Sequence, residues 1–109
     1  MALPTLEIEP HSAPLGLAFY TGRQFPPPYR GSLFVAYHGS RAGLAPAGYK
    51  VVRVTLRQGK PAAIEDFATG WLQGERVRGR PVDLVAGADG ALYVSDDHAG
   101  SIYRVTFRP

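Results

Sequence analysis

The sequence predicts an all-β chain made of repeated antiparallel meanders. Three observations predict it: short apolar runs with a period of two, Gly-containing turns between those runs, and an internal repeat. The stretch Arg80 to Phe107, RPVDLVAGADGALYVSDDHAGSIYRVTF, shows the first two most clearly. It divides into strands at Pro81–Ala86, Ala91–Ser95 and Ile102–Phe107, separated by turns at Ala88-Asp89-Gly90 and His98-Ala99-Gly100. In the last of these, Tyr103, Val105 and Phe107 point one way and Arg104 and Thr106 the other, as a half-buried strand requires.

The repeat supplies the third observation. PLGLAFY from Pro14 matches PVDLVA from Pro81, GSLFVA from Gly31 matches GALYVS from Gly90, and YKVVRVTL from Tyr49 matches SIYRVTF from Ser101. Arg53 then lies over Arg104 and Thr55 over Thr106. A repeated meander of short strands marks the blades of a propeller or a similar array. No sustained i, i+3, i+4 apolar stripe competes with this reading, so no helix longer than a turn is expected.

Taken in order, Leu6-Glu7-Ile8 is a short candidate strand closed by Pro10, and 11–14 is a loop. Leu15–Tyr20 is the first strand of the first blade. Residues 21–30, TGRQFPPPYR, form a loop stiffened by three consecutive prolines, which favour an extended backbone. Leu33–Tyr37 is the second strand, followed by a long loop from His38 to Gly48. Tyr49–Arg57 is the third, with Val52, Val54 and Leu56 on its buried face; a Gln58-Gly59-Lys60 turn leads to a fourth at Ala62–Phe67. Trp71–Gly79 is a loop into the second blade. The expected organisation is therefore an N-terminal strand in 1–12, a first blade in 13–76 and a three-stranded second blade in 77–109. Residues 1–12 would supply the strand that the second blade lacks, giving about two four-stranded blades.

Composition narrows the class. The chain has 109 residues, 45% hydrophobic and 19% charged, with a net charge of +3, which fits one folded domain and not a disordered chain. Thirteen Gly and ten Pro suit a fold with many turns. The absence of Cys excludes disulfides and thiolate metal sites. A pI near 9.5 raises the question of nucleic acid, but the Arg residues are scattered and form no stripe with aromatic partners, so no nucleic-acid partner is expected. No apolar run is long enough to span a membrane. MALPTLEIEP has neither the basic segment nor the apolar core of a secretory signal, and the location is left open.

Four segments, HSAPLGLAFY, PPPYRGSLFVAYHGS, GYKVVRV and GRPVDLVAGADGALYVSDDHAGSIYRV, together resemble the C-terminal portion of the soluble quinoprotein sugar dehydrogenases, in particular the glucose/sorbosone dehydrogenase group. The resemblance runs from about His11 to Phe107. It implies a fragment of a six-bladed β-propeller that binds pyrroloquinoline quinone (PQQ) and calcium at the channel mouth and oxidises aldose-type sugars. It also implies roles for four residues. Arg80 precedes the first strand of the second blade, where the family has a quinone-contacting arginine. Arg41, in the 38–41 segment with His38, falls where the family has a basic residue, and His11 sits in a channel-facing loop. A tricarboxylate needs such cations, since Arg binds carboxylate through two hydrogen bonds. The competing reading of Arg80 is a salt bridge to a carboxylate such as Asp83.

No residue matches the family's catalytic base, and the calcium-binding segment is missing. Asp96-Asp97-His98 looks like a metal cluster, but adjacent turn residues seldom converge on one ion; the expectation is that Asp96 and Asp97 cap turn amides and that no metal is held. No triad, phosphate loop or zinc spacing is present. Two functions follow. In one, the chain is part of a PQQ-dependent sugar dehydrogenase, active only in a complete ring. In the other, it is a non-catalytic, self-associating propeller module that binds sugar. Two blades per chain and six per ring imply self-association, with a trimer favoured over a dimer.

Overall fold

The computed structural model describes residues 3–41 and 45–109. It is all-β, with one 3-10 turn, Pro27–Tyr29. Strands β1 (Pro14–Phe19), β2 (Leu33–Tyr37), β3 (Lys50–Arg57) and β4 (Lys60–Ala68) form an antiparallel sheet in sequence order. A two-stranded hairpin follows, β5 (Leu72–Gln73) and β6 (Arg76–Val77). A second antiparallel sheet contains β7 (Pro81–Ala86), β8 (Leu92–Asp96) and β9 (Ser101–Val105). Each sheet is a blade-like meander.

The repeat is exact at the level of pairing. Pro14 opposite Tyr37 corresponds to Pro81 opposite Asp96, and Phe19 opposite Leu33 to Ala86 opposite Leu92. Leu33 opposite Val54 corresponds to Leu92 opposite Val105. Both first strands carry a bulge at the same place, Pro14/Gly16 in one and Pro81/Asp83 in the other. A bulge shifts a strand's facing residues and twists it locally, so a shared bulge gives the two first strands the same bend.

The sheets stack on each other through β1 and β2 against β7. Between them lies a core of Tyr20, Phe25, Phe34, Ala36, Val51, Trp71, Leu84, Leu92 and Val94. Tyr20 and Phe25 stack with ring centroids 4.6 Å apart, and Phe34 meets Phe67 edge-on at 4.7 Å. The buried Tyr20 hydroxyl donates to the Gly90 carbonyl and accepts from the Phe25 amide, tying the first sheet to a turn of the second. Gly16 in β1 is where the backbones come closest. A Cβ there would lie 2.5 Å from Asp83 Cα and 2.7 Å from the Val82 carbonyl oxygen, so only glycine permits this spacing.

Four expectations need correction. Residues 6–8 form no strand and pair with neither sheet. Pro4 and Pro10 bracket the segment, and Ile8 instead packs on the outer face of the first sheet against Val35, Tyr37, Val52 and Val54. The supposed loop at 71–79 contains the β5–β6 hairpin, with Trp71 in the core. The three prolines do not hold an extended run: Pro27 and Pro28 enter a 3-10 turn, because the proline ring fixes φ near a value common to both conformations and leaves ψ free. Phe25 also makes this loop part of the core, not a surface stiffener. Finally, β3 is buried on both faces, since Val51 joins the inter-sheet core while Val52 and Val54 face the opposite side.

Candidate functional site

Three backbone segments cross at one end of the inter-sheet contact: 11–13 before β1, 38–40 after β2, and 47–49 before β3. The His38 amide donates to the Ala13 carbonyl and the Gly39 amide to the Ser12 carbonyl, both at 2.8 Å. The Ser40 amide donates to the Ala47 carbonyl at 2.9 Å, and Ser40 Oγ accepts from the Ala47 amide at 3.1 Å. Gly39 has φ +100°, and a Cβ on it would strike the Tyr49 ring at 2.7 Å. His11, Ala13 and Tyr49 also have positive φ, at 65°, 54° and 59°. Non-glycine residues in this region persist only where surrounding contacts hold them, and here His11 and Ala13 border a cavity while Tyr49 is buried in the core beside it.

That cavity has a volume of about 590 Å³ and is lined by His11, Ala13, Gly39, Ser40, Arg41 and Arg80. Three of the four residues singled out in the sequence, His11, Arg41 and Arg80, therefore share one concavity. They come from loops that the sequence separates by up to 69 positions.

Arg80 enters just before β7 and reaches across to the first sheet. Its Nε donates to the His38 carbonyl at 3.1 Å, and one Nη donates to the carbonyls of Gly39 at 2.8 Å and Ser40 at 3.0 Å. Its guanidinium carbon lies 5.5 Å from the centre of the Tyr49 ring. The anticipated alternative, an Arg80–Asp83 salt bridge, does not form; backbone carbonyls take the charge instead. Arg80 thus clamps the 38–40 loop to the second sheet, and the other Nη makes no hydrogen bond among the described residues.

His38 is directed elsewhere. Its Nε2 lies 2.8 Å from Asp97 Oδ1, so its ring closes a second contact between the sheets while only its carbonyl serves the Arg80 clamp. That hydrogen bond from His38 is the main reason the Asp97 carboxyl sits below its ordinary range. Asp97 therefore pairs with an imidazole and does not cap a turn. The sequence did hold a signal for the pair: extending the repeat past Tyr37 and Asp96 puts His38 and Asp97 at equivalent positions, facing each other across adjacent blades.

Asp96 is the turn cap that the sequence predicts. It is buried, and its Oδ1 accepts from the amides of Arg80 at 2.9 Å, His98 at 3.0 Å and Ala99 at 2.9 Å. Its Oδ2 accepts from the Tyr103 hydroxyl at 2.8 Å. Burial pushes this carboxyl up, but the amide donors of Ala99 and Arg80, the Tyr103 hydroxyl and the His98 amide outweigh it, and the net shift is downward. Asp96 thereby fixes both the start of β7, from which Arg80 projects, and the turn that carries Asp97. Among the described residues no group of three His, Asp or Glu side chains is placed to hold a metal ion.

The donor set suits a carboxylated ligand. Arg41 is exposed, Arg80 lines the cavity with one Nη outside its carbonyl clamp, and His11 supplies a further ring nitrogen. The volume lies within the few hundred to about 1,000 Å³ common for small-molecule sites.

Comparison with known proteins identifies the family. The TrAA12-like family matches residues 1–108. An uncharacterised protein of Borreliella burgdorferi is 38% identical over 104 residues, covering 93% of this chain and 27% of its own length. The pyrroloquinoline quinone-dependent pyranose dehydrogenase of Coprinopsis cinerea is 35% identical over 120 residues, covering 92% of this chain and 16% of its own. The solved PQQ domain of the Coprinopsis cinerea pyranose dehydrogenase, in its holo form, superposes with a TM-score of 0.74 at 34% identity, over 95% of this chain and 29% of that one. A glucose dehydrogenase structure superposes with a TM-score of 0.70 at 30% identity, over 98% of this chain and 29% of that one. The chain spans less than a third of each of these relatives. A match along almost its whole length, together with the blade-like sheets, shows that the chain belongs to the TrAA12-like family, with homology to PQQ-dependent pyranose and glucose dehydrogenases.

Proposed function

We propose that this chain provides part of the quinone-binding wall of a PQQ-dependent sugar dehydrogenase and takes part in sugar oxidation only within a complete ring of blades. The observation that carries the reading is the convergence of His11, Arg41 and Arg80 on one 590 Å³ cavity at the junction of two blade-like sheets. PQQ is a tricarboxylate. In this reading the exposed Arg41 and the clamped Arg80 take one carboxylate edge of it. Arg80 is held rigid by three carbonyls and Tyr49, so little side-chain entropy is lost when an anion binds there. Bound quinone would supply the two-electron acceptor for the hydride of an aldose-type sugar. The chain's own residues bind and orient a carboxylate; none of them is assigned as the base, and none is assigned to calcium.

The alternative is a non-catalytic module that binds sugar without oxidising it. Adding PQQ and calcium, then an aldose and a redox dye, separates the two readings. Dye reduction that depends on quinone, together with a shifted quinone absorption band, supports the enzymatic reading. Sugar binding with no effect of quinone supports the alternative. Loss of the quinone band shift in Arg41→Ala would place the binding at this cavity without relying on turnover.

A further inference from the structure

We infer that the two open sheet faces are complementary and that three copies of this chain stack head to tail into a closed ring. The inference rests on the pairing register and not on the redox chemistry proposed above. On the first sheet, Gly16, Ala18, Phe34 and Val51 face the partner sheet within the chain, and Leu15, Leu17 and Phe19 face away. The register equates Phe34 with Tyr93, Ala18 with Val85 and Val51 with Ile102. The open face of the second sheet, with Val85, Tyr93 and Ile102, is thus the counterpart of the first sheet's buried face. Conversely, Leu17 and Val35 are equivalent to Leu84 and Val94, which the chain buries. Each open face is built like one that already has a partner.

Exposure shows that these faces lack cover. Leu15, Leu17 and Phe19 are 58%, 62% and 54% exposed, Val85 60% and Ile102 75%. Three alternate residues of one strand make a continuous apolar stripe, unlike the scattered apolar residues of an ordinary surface. Within the chain, β7 lies over β1 and β2. The same operation applied once more lays β1 of a second copy over β7 and β8 of the first, which brings Leu15, Leu17 and Phe19 onto Val85, Tyr93 and Ile102. The segment before each first strand has a matching place. Trp71 packs edge-on against Tyr103 ahead of β7, and Ile8 packs against Val35 and Val52 ahead of β1. Residues 3–12 then fill the wedge between copies and are not an exchanged strand.

Area and stoichiometry favour closure. The open face of the second sheet, three strands about 4.8 Å apart and about five residues long, presents roughly 250 Å² of projected face, to which side-chain relief and residues 3–12 add. A single contact of this size falls below the roughly 600 Å² per partner at the lower end of specific interfaces, so it is weak and a ring, giving each copy two contacts, is the stable form. The chain spans 29% of the Coprinopsis cinerea PQQ domain, so about three copies match the length of one such domain.

The test is the mass of the full chain in dilute solution, by light scattering and sedimentation. The expected mass is three times the 11.8 kDa of one chain. Leu17→Asp spoils one face and Ile102→Asp the other, both at exposed positions that leave the core intact. Each variant alone should stay monomeric at every concentration, and an equimolar mixture should associate only as the concentration is raised, as a one-to-one heterodimer through the two intact faces. A monomeric or dimeric wild type would overturn the ring whatever the variants do. A variant that still self-associates would overturn the head-to-tail geometry, because it would show like faces pairing with each other.

Discussion

Replacing Asp96 should loosen the candidate site and the second sheet together. Its carboxylate accepts from three amides and one hydroxyl. In Asp96→Ala all four donors lose their partner. His98 and Ala99 are exposed, so their amides regain water. The Arg80 amide and the Tyr103 hydroxyl are half-buried and regain less. At about 1–3 kcal/mol for each buried donor left unsatisfied, the loss is about 3 kcal/mol. With about 2.1 cal/mol/K of unfolding entropy per residue, a chain of 109 residues should melt about 13 °C lower. Asp96→Asn keeps an oxygen for the amides and can turn its NH₂ toward the Tyr103 oxygen, so it should cost only about 1 kcal/mol. Acid adds a second signature. The Asp96 carboxyl sits below its ordinary value of 3.8, so below that value the unfolded state takes up its proton first. Its contribution is full above pH 3.8 and is lost as pH falls from there through the lower native value. Asp96→Asn should remove this acid-dependent loss. Thermal melts followed by circular dichroism read all three outcomes. A melting temperature for Asp96→Ala within about 2 °C of wild type would refute the role given to the carboxylate.

Further outcomes follow from the same geometry. Gly16→Ala should destabilise the chain by about 1–3 kcal/mol in urea titrations, because the added methyl meets the backbone of Val82 and Asp83 and the sheets must part. Arg80→Lys keeps the charge but cannot fork to three carbonyls, so it should cost about 2 kcal/mol and weaken anion binding in the cavity, as read by the same titration and by quinone absorbance. Ser12→Ala should be neutral or stabilise by up to about 1 kcal/mol, since the buried Ser12 hydroxyl has no hydrogen-bond partner among the described residues.

The two larger sheets were legible in the sequence because a half-buried strand writes itself as a period of two, and their strands of five to nine residues are long enough to show it. The internal repeat went further and predicted equivalent register, down to Arg53 over Arg104. Shorter features misled. Leu6-Glu7-Ile8 has the alternation of a strand, yet three residues between prolines read the same whether they pair with a sheet edge or lie across a sheet face. The two-residue strands β5 and β6 have too few residues to show any period. In the site, the family resemblance pointed to His11, Arg41 and Arg80, in loops before β1, after β2 and before β7, and the fold brings those three to one cavity. The clamp on three carbonyls was not legible, because backbone acceptors leave no mark on residue identity. The Tyr49 platform was hidden for a related reason, since it depends on which loops meet when the sheets stack, whereas the His38–Asp97 pair could have been found by extending the repeat one residue past Tyr37 and Asp96.

The central claim is that a carboxylated quinone binds at the cavity formed where the two sheets meet. Backbone amide NMR spectra of the chain titrated with PQQ test it most directly, because each shift reports a position without requiring turnover. The expected result is a saturable set of shifts confined to the amides of His11, Ala13, Gly39, Ser40, Arg41 and Arg80, lost in Arg41→Ala. Shifts centred on Val85, Tyr93 and Ile102, or no saturable shift at millimolar quinone, would contradict it.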